Sequence, residues 1–336
     1  MTFISPLGIL GKIAGAIIIA FLGVILGLFY RGLDRKLAAR MQARVGPPIR
    51  QPFRDFLKLM IKENIVPENA VPWIFNGAPI MSLVATITIL FYLPVGNISP
   101  LLSGYGDIVL IVYLLTLPAI GMVVGGFASG SPYANVGAQR EMVMMMSYEL
   151  PLVTTVIAIG WKLSQVYPEL NVFSLAVINA HPIWGLVGPL GFVGAILLLI
   201  TLVIVTPGEL SKIPFDAPEA ETELAGGLLV EYSGRNLALF SLADATKTIV
   251  MVSLTIVLFF PYNIAYLLGL SGIFALIVDT LFFLVKLFLI MFVEVTFIRV
   301  AAARLKVDQV SYAYWVPLSL TGLLGLALIV LDTIIV

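Results

Sequence analysis

Eight apolar runs set what this chain can become. They fall at roughly 10–30, 77–96, 107–128, 142–161, 185–206, 246–265, 271–293 and 313–335. Each is close to the ~20 residues with which an α-helix crosses ~30 Å of hydrocarbon. A chain that is 60% hydrophobic and only 11% charged has too little polar surface to cover a soluble globule. The expected fold is therefore an all-α integral membrane protein, a single polytopic domain over 1–336 with about eight transmembrane helices and cytoplasmic amphipathic or loop segments. No repeat or soluble domain interrupts the pattern. The first run is too long for a cleaved signal peptide, and its positive flank is on the wrong side.

The net charge is zero, yet the charge is sharply sided. The connections 31–76, 129–141, 207–245 and 294–312 hold 15 of the 19 Lys and Arg residues. The alternate connections 97–106, 162–184 and 266–270 hold only Lys162. The positive-inside rule places the first set in the cytoplasm and both termini outside, in a multi-pass protein of the cell membrane. Within 31–62, Gly46-Pro47-Pro48 stops the helix that extends from the first span. Arg54, Lys58 and Lys62 then recur every four residues, with Phe53, Phe56, Leu57, Met60 and Ile61 elsewhere. That pattern suits an amphipathic helix at the membrane surface or beneath a docked soluble protein. With so little basic excess elsewhere, nucleic-acid binding is not expected.

Several chemistries are excluded. The chain has no cysteine, so it has no disulfides, Cys-ligated iron–sulfur clusters or Cys-ligated zinc. Its single histidine, His181, sits beside Pro182 and reads as a solvent-facing loop residue, since a metal site needs several convergent ligands. Ser103-Gly104-Tyr105-Gly106-Asp107 looks like a potassium-channel filter, but Leu102 stands where the filter's threonine belongs. The same residues contain the G-x-G-D of intramembrane aspartyl proteases. Asp279 is the one candidate second aspartate, and nothing in the sequence pairs the two. A polar turn leading into the third span is the better reading.

The segment 212–234, KIPFDAPEAETELAGGLLVEYSG, packs Asp216, Glu219, Glu221, Glu223 and Glu231 into sixteen residues. Pro214 and Pro218 fit a turn followed by a helix start, which would put Asp216, Glu219 and Glu223 on one face. Carboxylates crowded in a low dielectric cannot all ionise, so such a group can pass protons. The alternative is a solvated acidic face that docks a basic partner. Glu149 lies about eight residues into the fourth span, where an ionisable group is costly and hence a candidate relay, or else the partner of a cation on another helix. Asp279 and Lys286, seven apart on the seventh span, share a face. They either carry charge or seal a helix contact. Lys247 falls at the edge of the sixth span. Glu294 ends the seventh, followed by Arg299, Arg304, Lys306 and Asp308, and reads as part of a cluster snorkelling at the headgroups.

Taken together, these residues resemble a known family over nearly the whole chain. It is the membrane-anchor subunit shared by respiratory complex I, as the first membrane subunit of NADH–quinone oxidoreductase, and by energy-converting membrane-bound hydrogenases. The most specific motif is Pro214-Phe215-Asp216 running to Glu231-Tyr232-Ser233-Gly234. Supporting motifs are Asp34-Arg35-Lys36 with Gln42-x-Arg44-x-Gly46-Pro47, Asp55-x-x-Lys58-Leu59, Lys62-Glu63, Ser147-Tyr148-Glu149, and Arg299 with Arg304-x-Lys306-x-Asp308-Gln309. Gly46-Pro47 passes to Gln51-Pro52 almost at once, where quinone-using members carry a longer glycine-containing stretch, and Ala303 replaces a common proline. RVGPPIRQPFRDFLKL and SPYANVGAQRE look more like the hydrogenase branch.

The resemblance implies a non-catalytic subunit of an oxidoreductase complex that binds no cofactor itself. Iron–sulfur clusters and a nickel–iron centre would sit in soluble hydrogenase-like partners on the cytoplasmic side. Antiporter-like membrane subunits would translocate H⁺ or Na⁺. By motif match, Asp216, Glu219, Glu221, Glu223 and Glu231 would line an acidic route with Glu149. The docking surface would come from Arg31, Arg35, Lys36, Arg40, Arg44, Arg54, Lys58, Arg299, Arg304 and Asp308. The alternatives are a quinone-binding subunit of a complex I-type enzyme and, in another class, a stand-alone cation transporter.

Overall fold

The computed structural model describes the backbone of residues 6–335, and the side chains of all these except 6–10, 221 and 222. The extreme termini, expected outside, and the Glu221 side chain lie beyond the described residues. Among those described, eight helices are long and apolar enough to cross a membrane, and there is no strand.

In chain order, α1 (Pro6–Met41) is followed by the short α2 (Gln51–Ile61), then α3 (Pro72–Leu90), α4 (Ile108–Ala128) and α5 (Pro132–Val166). After α6 (Leu175–Ala180) come α7 (Pro189–Glu209), the single turn α8 (Glu221–Leu224) and α9 (Gly234–Phe259). The span starting with α10 (Gly272–Met291) passes through a π-helical segment, Phe292–Phe297, into α11 (Ile298–Ala301). The last span links α12 (Val307–Ala313) to α13 (Ser319–Ile335) through a second π segment, Tyr314–Leu318.

Proline opens α3, α5 and α7 within their first turn, where a missing N–H costs nothing. Asp107 caps α4, accepting from Leu110 N at 3.0 Å, so the Gly-Tyr-Gly-Asp stretch is the polar turn into the third span. Helix α9 is the axis of the bundle. Every residue from 249 to 259 is buried, and α9 touches α1, α2, α3, α7 and α10. By contrast α1 and α10 turn Ile17, Phe21, Phe274, Leu281 and Leu289 outward, as helices facing hydrocarbon do. The most extensive pairings are α3 with α4 and α7 with α13.

Several spans run past the bounds expected from hydropathy. The sixth extends over Gly234–Phe259 rather than 246–265. Pro261 disfavours helical geometry at Phe260 and stops it early. At the other end, polar residues such as Asn236 and Asp244 continue the helix because they meet protein rather than lipid. Helix α2 is the expected amphipathic element. Its Phe53 and Phe56 pack on Leu28, Leu242 and Ala245, while Arg54, Leu57, Lys58, Met60 and Ile61 are exposed.

The acidic connection does not form one helix. A 3₁₀ turn, Ala217–Glu219, gives way at Ala220 to α8, and left-handed Ala225 and Gly226 lead to a second 3₁₀ turn, Gly227–Leu229. Asp216, Glu219 and Glu223 therefore do not share a helical face. The segment folds inward instead, with Phe215, Ala217, Ala220 and Leu228 buried. Gly227 is held at φ +56°, where a Cβ would collide with the Pro218 carbonyl.

Candidate functional site

Two polar layers meet at the end of the bundle that carries the basic loops. The outer layer surrounds a cavity of about 310 Å³ lined by Arg31, Arg35, Asp55, Lys212, Glu219 and Asp244, with Leu59, Leu229, Leu237 and Phe240 as apolar wall. A smaller space of about 130 Å³ adjoins it, lined by Tyr30, Asp34 and Arg299 together with Arg31, Arg35, Lys212 and Asp244. Lys212 donates to both oxygens of Asp244, at 2.8 and 2.7 Å. Arg31 lies 3.7 Å from the same carboxylate and donates to Ser241 Oγ at 2.7 Å. Glu219 faces this group. Burial pushes its carboxyl above the usual carboxylate range, opposed by the nearby Lys212 charge.

The inner layer is built by α5, α7 and α9. Glu141 from α5 is wholly buried and accepts from Ser211 Oγ at 3.2 Å. Glu209, the last residue of α7, pairs with Lys247 of α9 at 2.7 Å, and the same ammonium donates to the Glu209 carbonyl at 2.6 Å. Both partners are under 5% exposed, so the pair is shielded from solvent. Tyr148 of α5 and Tyr314 of the second π segment stand edge to face beside them, centroids 6.3 Å apart, and Tyr314 donates to the Ile204 carbonyl at 3.0 Å. A further cavity of about 20 Å³ lies between the layers, lined by Asp244 on one side and by Glu209 and Lys247 on the other. That is space for one water, in a wall that is mostly apolar (Pro118, Met122, Leu210, Phe240, Ala243) apart from these charged groups.

The structure distributes the residues expected from sequence. Asp216 is buried and takes a bidentate contact from Arg304, tying the acidic connection to the last basic loop. Glu223 is exposed and pairs with Arg140 at 2.5 Å. Glu231 and Glu149 are half-buried, and Glu149 is near enough to act electrostatically on Glu209 and Tyr148. Of the basic residues, Arg299 meets Asp34 at 2.7 Å and Arg35 meets Asp55 at 3.1 Å. Arg40, Arg44, Arg54, Lys58 and Asp308 are exposed at that end, and Lys36 is half-buried.

Asp279 and Lys286 belong to different company. Asp279 accepts from the backbone N–H of Ile264 (3.1 Å) and Ala265 (2.9 Å). Lys286 donates to the carbonyls of Phe260 and Tyr262, each at 2.9 Å. Together they tie down the loop that follows α9. His181 is half-buried against Tyr167, ring centroids 4.3 Å apart, rather than facing solvent. Glu294 does not snorkel. It is completely buried, continuing the inward face of Phe283, Leu287 and Met291 at +3 and +7 spacing.

Sequence reasoning missed Glu141, Glu209 and Asp244, and noted Lys247 without a partner. One signal was available: Glu141 and Tyr148 are seven apart, hence on one helical face. Among the described residues, no group of three or more His, Cys, Asp or Glu side chains could hold a metal ion.

A helical membrane protein with a basic, cavity-bearing end and buried charge behind it is the class these features define. The chain belongs to the NADH dehydrogenase family, which matches residues 13–330. It is 31% identical over 328 residues to a subunit of the NADH-quinone oxidoreductase of Anoxybacillus flavithermus, covering 94% of this chain and 93% of that one. It is also 32% identical over 300 residues to hydrogenase-4 component C of Escherichia coli, covering 88% and 89%. Among solved structures it resembles a chain of the membrane-bound sulfane sulfur reductase, an archaeal respiratory membrane complex. The TM-score is 0.81 at 27% identity, over 95% of this chain and 99% of that one. The protein is thus a membrane subunit of the complex I-like or hydrogenase-type respiratory complexes, as its motifs suggested.

Proposed function

We propose that this chain anchors soluble iron–sulfur and hydrogenase-like subunits at its basic end and couples their electron transfer to H⁺ or Na⁺ movement through antiporter-like membrane partners. The observation that carries this reading is the water-sized cavity between Asp244 and the Lys247–Glu209 pair. It shares Asp244 with the outer cavity and reaches the buried Lys247–Glu209 pair on its inner side. Two unit charges at 4 Å interact by about 4 kcal/mol at an effective dielectric of 20. Rearranging Lys212 and Arg31 around Asp244 would therefore be felt at Lys247 and Glu209, and on to Glu141. Glu219 adds a proton-holding carboxyl at the outer entrance. Asp216, Glu223, Glu231 and Glu149 flank this route, and Arg40, Arg44, Arg54 and Lys58 face the docked subunits.

The hydrogenase branch is favoured by the short passage from Gly46 to Gln51. Metal analysis of the purified complex tests it. Nickel with iron supports the reading; iron without nickel, together with a tightly bound quinone, sinks it. The 310 Å³ cavity, polar on one wall and apolar on the other, favours the quinone-binding alternative as a second reading. A stand-alone transporter would instead purify active without iron–sulfur partners.

A further inference from the structure

One buried ionisable group stands outside the route described above. Glu294, in the π segment Phe292–Phe297, is fully buried, and neither of its carboxylate oxygens receives a hydrogen bond. The charged groups nearby along the packed elements are already committed. Arg299 turns to Asp34 of α1 at 2.7 Å, and Lys247 of α9 turns to Glu209 of α7 at 2.7 Å. The groups beside the Glu294 carboxyl are the hydroxyls of Thr206 on α7 and Thr255 on α9. Thr206 gives its hydrogen to the Leu202 carbonyl at 3.0 Å, while Thr255 reaches the Met251 carbonyl only at 3.4 Å, a weak bond its hydroxyl can leave. Both hydroxyls carry lone pairs able to accept from Glu294, and neither brings a positive charge.

An ionised carboxylate buried in the membrane interior with no cation paired to it is strongly disfavoured. A carboxylic acid is not, because its O–H can donate to a threonine oxygen. We propose that Glu294 is a proton-binding site, a carboxylic acid whose hydroxyl donates to Thr206 or Thr255. Its π-helical setting agrees with this, since π turns recur where a helix is adapted for function. The site holds one proton. Releasing it leaves a bare carboxylate, so release requires that positive charge arrive as the proton departs. This assignment stands or falls independently of the coupling route through Asp244 and Lys247.

The test is infrared spectroscopy of the complete purified complex at neutral pH, in the carbonyl-stretch region of protonated carboxyl groups. Glu294→Gln should remove one band there. Thr206→Val or Thr255→Val should shift that same band, because the acid loses its acceptor. A Glu294→Gln spectrum unchanged in this region would overturn the proposal, and would mean that Glu294 is ionised against a cation from a partner. If Glu294→Gln does not assemble, the threonine variants decide: no band moved by either substitution also overturns it.

Discussion

At the residue scale, burial separates the charges that matter from those that decorate. Lys247 and Glu209 are each under 5% exposed. Removing one member of such a pair strands the other, at a cost of about 3–5 kcal/mol. Lys247→Met should therefore lower the melting temperature of the complex markedly, and adding Glu209→Gln should restore most of it. Arg35 and Asp55 are 36% and 42% exposed, and Arg35→Ala should change stability by no more than about 1 kcal/mol. Glu219 makes a prediction with a sign. Its carboxyl is raised by burial, so the folded state holds this proton above the ordinary carboxylate range. The stability it contributes is full below that range and is lost as pH climbs through the raised value. Thermal melts against pH should show that alkaline slope in the wild type and a flatter profile in Glu219→Gln.

At the scale of elements, the acidic connection depends on close backbone approach. A Cβ at Gly227 would strike the Pro218 carbonyl and one at Gly137 the Leu228 amide, so the segment is wedged against α5. Gly227→Ala should displace it at a cost of at least about 1 kcal/mol and reduce the yield of assembled complex on native gels. The elements were legible in sequence to different degrees. The eight spans, amphipathic α2 and the turn capped by Asp107 follow from local pattern alone. The course of 212–234 does not, because its carboxylates are placed by distant partners: Asp216 by Arg304, Glu223 by Arg140. The inner group was hidden for a similar reason. Glu209 ends an apolar helix and Lys247 lies at the expected edge of another, and only packing shows that they meet. Glu294 was misread as a headgroup residue because Arg299, Arg304 and Lys306 follow it, although it continues the helical face of Phe283, Leu287 and Met291, which packing buries.

At the scale of the whole molecule, α9 runs through the centre while α1 and α10 keep wide apolar faces outward, and most buried charges gather at the end with the basic loops, apart from Asp279 and the Lys162–Asp332 pair. That layout suits a protein that receives a signal from docked partners and passes it sideways within the membrane. Such a protein should co-purify with iron–sulfur partners that it cannot ligate itself, which iron analysis of the isolated complex checks directly. In the proposed coupling, charge moves through Asp244, the Lys247–Glu209 pair and Glu141 in step with electron transfer. The most direct measurement is ion translocation per electron in vesicles reconstituted with the complex carrying Glu141→Gln. Electron transfer should be retained with ion translocation cut at least about tenfold, a barrier increase of about 1.4 kcal/mol or more. Translocation undiminished at normal electron flux would contradict that coupling.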